Sequence, residues 1–594
     1  MTDQGRLRDG LVRVAGLAVG LAALVGYSAV GATYYAGFRV PQGYGMNFLL
    51  PEELAHIALF WVLRACALLG LAVALMGTSV VDACIALGRR ARRHAGACCA
   101  ALAALVFVST LGFSHYVLGH AAITDDEHVY RFIAQTVRTG SFTAPSPATD
   151  LDFFREQFVV LTPEVRYGKY PPGHPLLLAV GQILGLEALV VPLLTALLLP
   201  ALYWVARAAF DRTTAVVAML LFAGSPQVLV TGATLFSQPA AALCLLGALA
   251  CLLSAGRDGR RVAPWLLGAG VLLGYGVLVR PLPGVLFVLA ALLWLLTQGA
   301  GRMAWRDRLR SVAIVAAPLA LAAAVLLIAN HSQTGRWLSS GYQAFHAPAD
   351  TGTGVGTGVG GDLALEVMSV TASLLRLSVW LTGWPGSLLF LLLARGGKDR
   401  GLLWSMIGAE WLYRLLSPKA GVGGAGPLYL FEVLPLLCLM VAAGLLAAVR
   451  SGRLPTLGSA TPQAAAVALL VAGGLVNACM FLPTKAADLR RMAEAQLWPG
   501  RLIQQRHLSN AVVFHRTVVP PWSGLSWAYF PPCNSPALDD DILWMRIDAG
   551  GRDPSLAFAR RRFPGRSAWY YALDQGKPAL ERLEELAPGP PGRP

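Results

Sequence analysis

Apolar stretches long enough to cross a bilayer as one helix, about 20 residues each, recur along most of the chain. They lie near 11–33, 55–86, 95–118, 187–209, 213–232, 237–254, 263–279, 282–298, 311–330, 370–394, 401–416, 428–449 and 463–482. The pattern predicts about thirteen transmembrane helices. Three polar segments interrupt it: 119–174, 331–369 and the tail from Lys485 to Pro594. The stretch PLLLAVGQILGL (175–186) is too short to cross and too apolar for a free loop, so it predicts a helix at the outer interface. Within 119–174, Val129, Phe132, Ile133 and Val137 keep helical spacing and Gly140 stands where a C-cap belongs. The tail alternates a helical stretch (486–506) with short β-like runs at 511–515, 542–548 and 568–573, the pattern of a small α/β domain. TGTGVGTGVGG (351–361) is low-complexity, and the terminal PGPPGRP is expected to be disordered.

Composition agrees with the pattern. Of 594 residues, 56% are hydrophobic and 14% charged, and the mean hydropathy is +0.57. That excludes a soluble globular chain. The net charge of +15 is dispersed in short clusters between apolar stretches rather than gathered in a stripe, which argues against nucleic acid as a partner. With the N-terminus cytoplasmic, every cytoplasmic loop carries basic residues: Arg89 to Arg93, Arg207 and Arg212, Arg257 to Arg261, Arg302 to Arg310, Arg395 to Arg400, and Arg450 with Arg453. The positive-inside rule then puts the three long polar segments on the outer face of the plasma membrane. The apolar run after RLRDGLVR is too long for a signal peptide and reads as an uncleaved first span. Of the nine cysteines, only Cys533 lies in the polar tail, and the spacings suit neither a disulfide framework nor zinc.

Candidate chemistry gathers in the first outer segment. In TDDE, Thr124 and Glu127 form a capping-box pattern at the start of a helix, where acids suit the dipole. One carboxylate suffices for a cap, whereas Asp125, Asp126 and Glu127 are three. A surplus carboxylate at the membrane surface can act as a general base or help hold a divalent cation. In YGKYPPGHP, the prolines stiffen a loop that presents Lys169 near a helix N-terminus, an arrangement suited to an anion. Arg280, in VRP at the outer end of a span, and Glu432, inside PLYLFEVLPLL, are charges at a depth that demands partners. Arg414 or Lys419 could serve Glu432. His120, His128 and His174 surround the same loop, with no metal-ligand spacing. No nucleotide-binding loop and no cofactor motif is present.

DDEHVY, YGKYPPGHPLLLA, TLFSQP (234–239), VRP and LYLFEVLP, in this order over roughly 95–485, resemble the GT-C superfamily of membrane glycosyltransferases, in the branch of bacterial aminoarabinose transferases and protein O-mannosyltransferases. The resemblance implies a GT-C fold and transfer of a sugar from a polyprenyl-phosphate donor to a lipid, polysaccharide or protein acceptor at the outer face, with inversion. It places the family's aspartate at Asp126 with Glu127 beside it, a matching tyrosine at Tyr130, and the phosphate-meeting lysine at Lys169; Tyr170, His174 and Glu432 join as substrate-site candidates. Asp126 is then the expected base and Asp125 the second choice, with Lys169 and Arg280 stabilising the departing phosphate. Where many relatives carry an acid before the lysine this chain has Gly168, so a metal there is open. The implied organisation is an N-terminal hairpin (1–94), a catalytic membrane domain (95–484) and an extracytoplasmic tail domain (485–594). A transporter or flippase for a lipid-linked sugar would show repeated halves with mid-membrane charges; an oligosaccharide ligase differs only in donor size.

Overall fold

The computed structural model describes residues 3–37, 51–256, 262–297, 304–346, 363–397, 399–416, 425–515, 531–547, 551–574 and 577–583. The protein is mostly helical, and eight helices among the described residues are long and apolar enough to cross a membrane, or nine if one bent pair is a single span. The chain opens with α1 (Asp3–Gly37), α2 (Pro51–Leu75), the basic α3 (Ser79–Arg93) and α4 (Ala95–Tyr116). After the first outer segment come α7 (Glu187–Ala209), α8 (Arg212–Ala223), α9 (Pro226–Gly232), α10 (Gln238–Ala255), α11 (Val262–Val279), α12 (Pro281–Thr297) and α13 (Trp305–Thr334). The outer segment itself holds α5 (Asp125–Arg138) and α6 (Gly173–Ile183). A short α14 (Gly341–His346) precedes α15 (Leu363–Trp380), α16 (Arg400–Leu416), α17 (Leu434–Arg450), α18 (Pro462–Val476), α19 (Leu482–Gln505) and, in the tail, α20 (Arg552–Arg562).

The thirteen apolar stretches and the uninterrupted helices do not coincide one for one. Stretch 55–86 breaks after Leu75, where Thr78 caps the separate α3. Stretch 370–394 divides between α15 and a 3-10 helix, Ser387–Leu393. Helices α12 and α17 are 17 residues each, just under a full crossing. Hydropathy averages over such breaks, and only glycine and proline chemistry marks them.

Two local features position the site. Helix α8 turns by 58° into α9, which brings the TLFSQP segment against the first outer segment. Val279 ends α11 and Pro281, without an N–H, opens α12. Arg280 therefore occupies the corner between two apolar helices.

The polar segment 119–174 contains strands absent from the sequence-based expectation: β1 (Ala144–Pro145), β2 (Val159–Leu161) and β3 (Val165–Gly168), paired antiparallel with β3 central. Farther on, β4 (Ala511–His515) lies parallel to both β5 (Ile542–Arg546) and β6 (Ser567–Asp574), and β7 (Lys577–Arg582) completes the sheet antiparallel to β6. Its core takes in two residues from far away in sequence. Phe153 stacks on Phe558 at 4.1 Å and meets Phe514 edge-on, and Phe154 packs in the same cluster. Polar contacts join the same surfaces: Arg166 pairs with Glu156 at 3.4 Å, the Asn534 amide donates to Glu156 at 2.7 Å, and Arg166 donates to the Ser535 carbonyl.

Candidate active site

Helix α5 forms where its periodicity places it. Val129, Phe132 and Ile133 are buried, and Gly140 (φ +81°) follows its C-terminal cap. Its apolar face meets α6 and β3 rather than an open membrane surface. Gly168 sits against this face: a Cβ there would lie 2.6 Å from Ile133 and 2.7 Å from Val129. The position before Lys169 thus has no room for a carboxylate while α5 keeps its place.

The three consecutive acids have three different environments. Glu127, 1% exposed, accepts from the Ile123 and Thr124 amides at 2.8 and 3.2 Å and, through its other oxygen, from the Leu235 amide at 2.8 Å. It completes its half of the capping pattern and clamps the TLFSQP segment. Burial pushes its carboxyl up to about 7, against the pull of those amides. Asp125 is also buried. Its Oδ1 accepts from the Asp126 amide at 3.1 Å and its Oδ2 has no hydrogen-bond partner among the described residues. Burial first, then the neighbouring Asp126, pushes it up to about 8, with Lys169 pulling the other way. Asp126 is the partly exposed one, and the Tyr170 hydroxyl donates to its Oδ1.

His174, at the far end of the loop, is fully buried. Its Nε2–H donates to the Leu235 carbonyl at 2.7 Å, and burial lowers its pKa to about 4, so the ring is neutral. The backbone of one residue, Leu235, is thus held at both its N–H and its carbonyl, by Glu127 and His174 respectively. Ser237 in the same segment bonds the Tyr130 hydroxyl at 3.2 Å. Glu127 and His174, both candidates for chemistry, are thereby engaged in joining the two ends of the outer loop to the membrane helices.

Lys169 is 6% exposed. Its ammonium lies 3.0 Å from the Phe158 ring centroid, 4.9 Å from Phe345, 5.0 Å from Tyr170 and 5.7 Å from Tyr342. Aromatic faces at such distances stabilise a cation. Two of them, Tyr342 and Phe345, come from α14, in a segment in which the sequence singled out no individual residue. The same tyrosines link the lysine to the rest: Tyr130 stacks near Tyr170 (4.8 Å), and Tyr130 and Tyr342 both lie within electrostatic reach of Asp126 and Arg280.

Arg280 pairs with Glu432 at 2.5 Å. This corrects the partner expected for Glu432: Arg414 lies nearby without being its ion-pair partner in the structure, and Lys419 is outside the described residues. Proximity in sequence suggested the wrong arginine because the corner at Pro281 brings α11 to the same spot. Among the described residues no group of three His, Cys, Asp or Glu side chains is placed to hold a metal ion.

Fold and site together define a class of protein: a multi-pass helical membrane protein whose large loop sets a carboxylate and a caged lysine above an arginine buried between helix ends. Residues 170–328 match the sequence model of the family described as dolichyl-phosphate-mannose-protein mannosyltransferase. The matched stretch takes in YPPGHP, TLFSQP and VRP, three of the motif segments on which the resemblance to membrane glycosyltransferases rests. Among solved structures, ArnT from Cupriavidus metallidurans bound to undecaprenyl phosphate is similar at 14% identity and a TM-score of 0.48, over 82% of this chain and 99% of that one. The Archaeoglobus fulgidus oligosaccharyltransferase tethered with an acceptor peptide is similar at 14% identity and a TM-score of 0.41, over 72% of this chain and 62% of that one. The oligosaccharyltransferase AglB from Archaeoglobus fulgidus in complex with an inhibitory peptide and a dolichol-phosphate aligns at 12% identity and a TM-score of 0.40, over 80% and 69%. No curated protein sequence matches.

Proposed function

We propose that the protein is an inverting glycosyltransferase that moves a sugar from a polyprenyl-phosphate donor to an acceptor at the outer face of the membrane. One observation carries the reading: Asp126, Lys169 and Arg280, from three separate segments, surround the same group of tyrosines. The acceptor's hydroxyl or amine attacks the anomeric carbon while the bond from that carbon to the phosphate oxygen breaks. Asp126 takes the acceptor's proton, and its bond from Tyr170 aims the carboxylate. The polyprenyl phosphate leaves with the bonding electrons. It is already an anion, so it requires charge stabilisation rather than a proton, and Lys169 and Arg280 supply it. Apolar residues of α10, α11 and α12, among them Ala241, Cys244, Leu272, Gly276 and Phe287, lie beside Arg280.

In this reading thirteen spans place the first outer segment, the 331–369 segment and the tail domain outside the cell, with the N-terminus inside. The acceptor is a lipid, a polysaccharide or a protein of the envelope, and a divalent cation held at the acids is the open element. Lipid-linked sugars and envelope glycans should differ by mass spectrometry between a deletion strain and its parent. Wild-type protein should restore the parental pattern, while Asp126→Asn, expressed at equal level, should not. Full restoration by Asp126→Asn would remove Asp126 as the base.

A further inference from the structure

Behind Arg280 lies a second arginine to which no function is attached. Arg414, on α16, is 1% exposed. Its guanidinium carbon lies 5.5 Å from the Tyr429 ring centroid, and that of Arg280 lies at the same 5.5 Å from the same ring. Two like charges thus share one aromatic side chain in the interior of the helix bundle. Glu432, 0% exposed, pairs with Arg280, and Glu410, one turn before Arg414 on α16, lies within electrostatic reach of both arginines. Neither Glu410 oxygen has a hydrogen-bond donor among the described residues. Arg414 also donates to the Ser373 hydroxyl at 3.3 Å.

A group of four ionisable side chains among apolar helices is costly to bury and adds little net stability over apolar packing of the same volume. Its geometry is graded toward the site: the Arg280 side chain is 12% exposed, and everything behind it is closed. A single arginine paired to a glutamate has little field left for an anion. A second buried guanidinium strengthens that field, because electrostatic interactions between buried groups are weakly screened, and Glu410, which no donor meets among the described residues, offsets only part of it.

We propose that Arg414 is a positioning residue for the lipid phosphate: braced on Tyr429, it holds Arg280 in place and supplies the positive field that the Glu432 pairing takes away. It need not touch the ligand. The inference rests on the reading that Arg280 meets the donor phosphate, and it adds that recognition of the anion, as distinct from the prenyl chain, depends on a residue one layer deeper.

The test uses the full chain in lipid nanodiscs and two probes, undecaprenyl phosphate and the neutral undecaprenol, which share the chain and differ in the phosphate. Wild type should bind the phosphate more tightly than the alcohol, and Arg280→Gln should lose most of that preference. Arg414→Gln should weaken undecaprenyl phosphate binding by about tenfold, the effect of one charge roughly 10 Å away in a partly screened interior, and leave undecaprenol binding unchanged. Arg414→Lys, which keeps the charge, should recover most of the preference. A purely structural arginine would change both probes together and would not be rescued by lysine. If Arg414→Gln does not reconstitute, Tyr429→Leu, which removes the shared ring and leaves both charges, should give a smaller loss in the same direction. An unchanged phosphate preference in Arg414→Gln, or in Tyr429→Leu where that carries the test, overturns the inference while the Arg280 result stands. A wild type without preference for the phosphate, or an Arg280→Gln that keeps it, overturns the reading of the site and the inference with it.

Discussion

Replacing Glu127 by glutamine separates a carboxylate that holds the fold from one proposed to do chemistry. At pH 8, above the value of about 7 to which burial raises it, Glu127 is ionised and accepts three backbone N–H groups, two on one oxygen and one on the other. Glutamine keeps a single acceptor oxygen. If that oxygen serves Ile123 and Thr124, the new NH2 faces the Leu235 amide, donor against donor. Losing one hydrogen bond to a charged acceptor and leaving a buried N–H unmet amounts to about 2–4 kcal/mol. Asp126→Asn should differ sharply, since Asp126 is partly exposed and the amide oxygen can still accept from Tyr170. Its change should be within about 0.5 kcal/mol, as for a surface substitution. Thermal unfolding of both variants in nanodiscs at pH 8 should show a midpoint several degrees lower for Glu127→Gln and near wild type for Asp126→Asn, with sugar transfer lost in the second despite intact folding. A Glu127→Gln protein as stable as wild type would show that the Leu235 clamp does not hold the loop to the helices.

Asp125 gives a pH signature. Its folded pKa of about 8 lies above the ordinary 3.8, so between those values the folded state keeps a proton that the unfolded state releases, and its contribution to stability falls as pH rises through that window. Asp125→Asn should flatten that part of the unfolding midpoint against pH; an unaltered slope would contradict the burial of Asp125. Phe153→Ala removes a buried ring stacked at 4.1 Å on Phe558 and should cost about 3 kcal/mol, read as faster hydrogen exchange in β4 and β6 with the membrane helices unaffected; unchanged exchange would mean that the tail holds its sheet without the outer loop. Gly168→Ala forces Ile133 and Val129 to move and should destabilise by about 1–3 kcal/mol; a wild-type midpoint would show slack between α5 and β3. In a cysteine-free background, an impermeant thiol reagent applied outside intact cells should label a cysteine at position 145 and not one at 92, and the reverse would invert the proposed topology.

Some of this site was legible because its causes are local. A capping pattern, four apolar residues at helical spacing and a glycine stop are enough to form α5, and each acts within a few residues of itself. Pro281 likewise announces a corner at Arg280. The clamp on Leu235 could not be seen in the same way: Leu235 lies 108 residues from Glu127, and it contributes a peptide group, which every residue has. TLFSQP was noticed as a motif, but its use here is mainly in its backbone and in the Ser237 hydroxyl. Phe153 and Phe154 are an apolar pair in a polar loop; what makes them structural is Phe558, some four hundred positions on, and no periodicity connects the two.

The lysine cage shows how a residue singled out from sequence can have unexpected surroundings. In sequence, Lys169 stands near a helix N-terminus, since proline and glycine chemistry controls only the local chain. The structure surrounds it instead with aromatic rings from β2's approach and from α14. A buried ammonium needs compensation wherever it lies, and four polarisable faces contribute to it. Arg280 is compensated by the other means, a direct acid partner in Glu432. The two cations proposed to meet the same phosphate therefore have different surroundings: aromatic rings crowd one, and an acid partner consumes part of the charge of the other. The acid partner is the reason a deeper positive charge such as Arg414 is proposed to matter for Arg280.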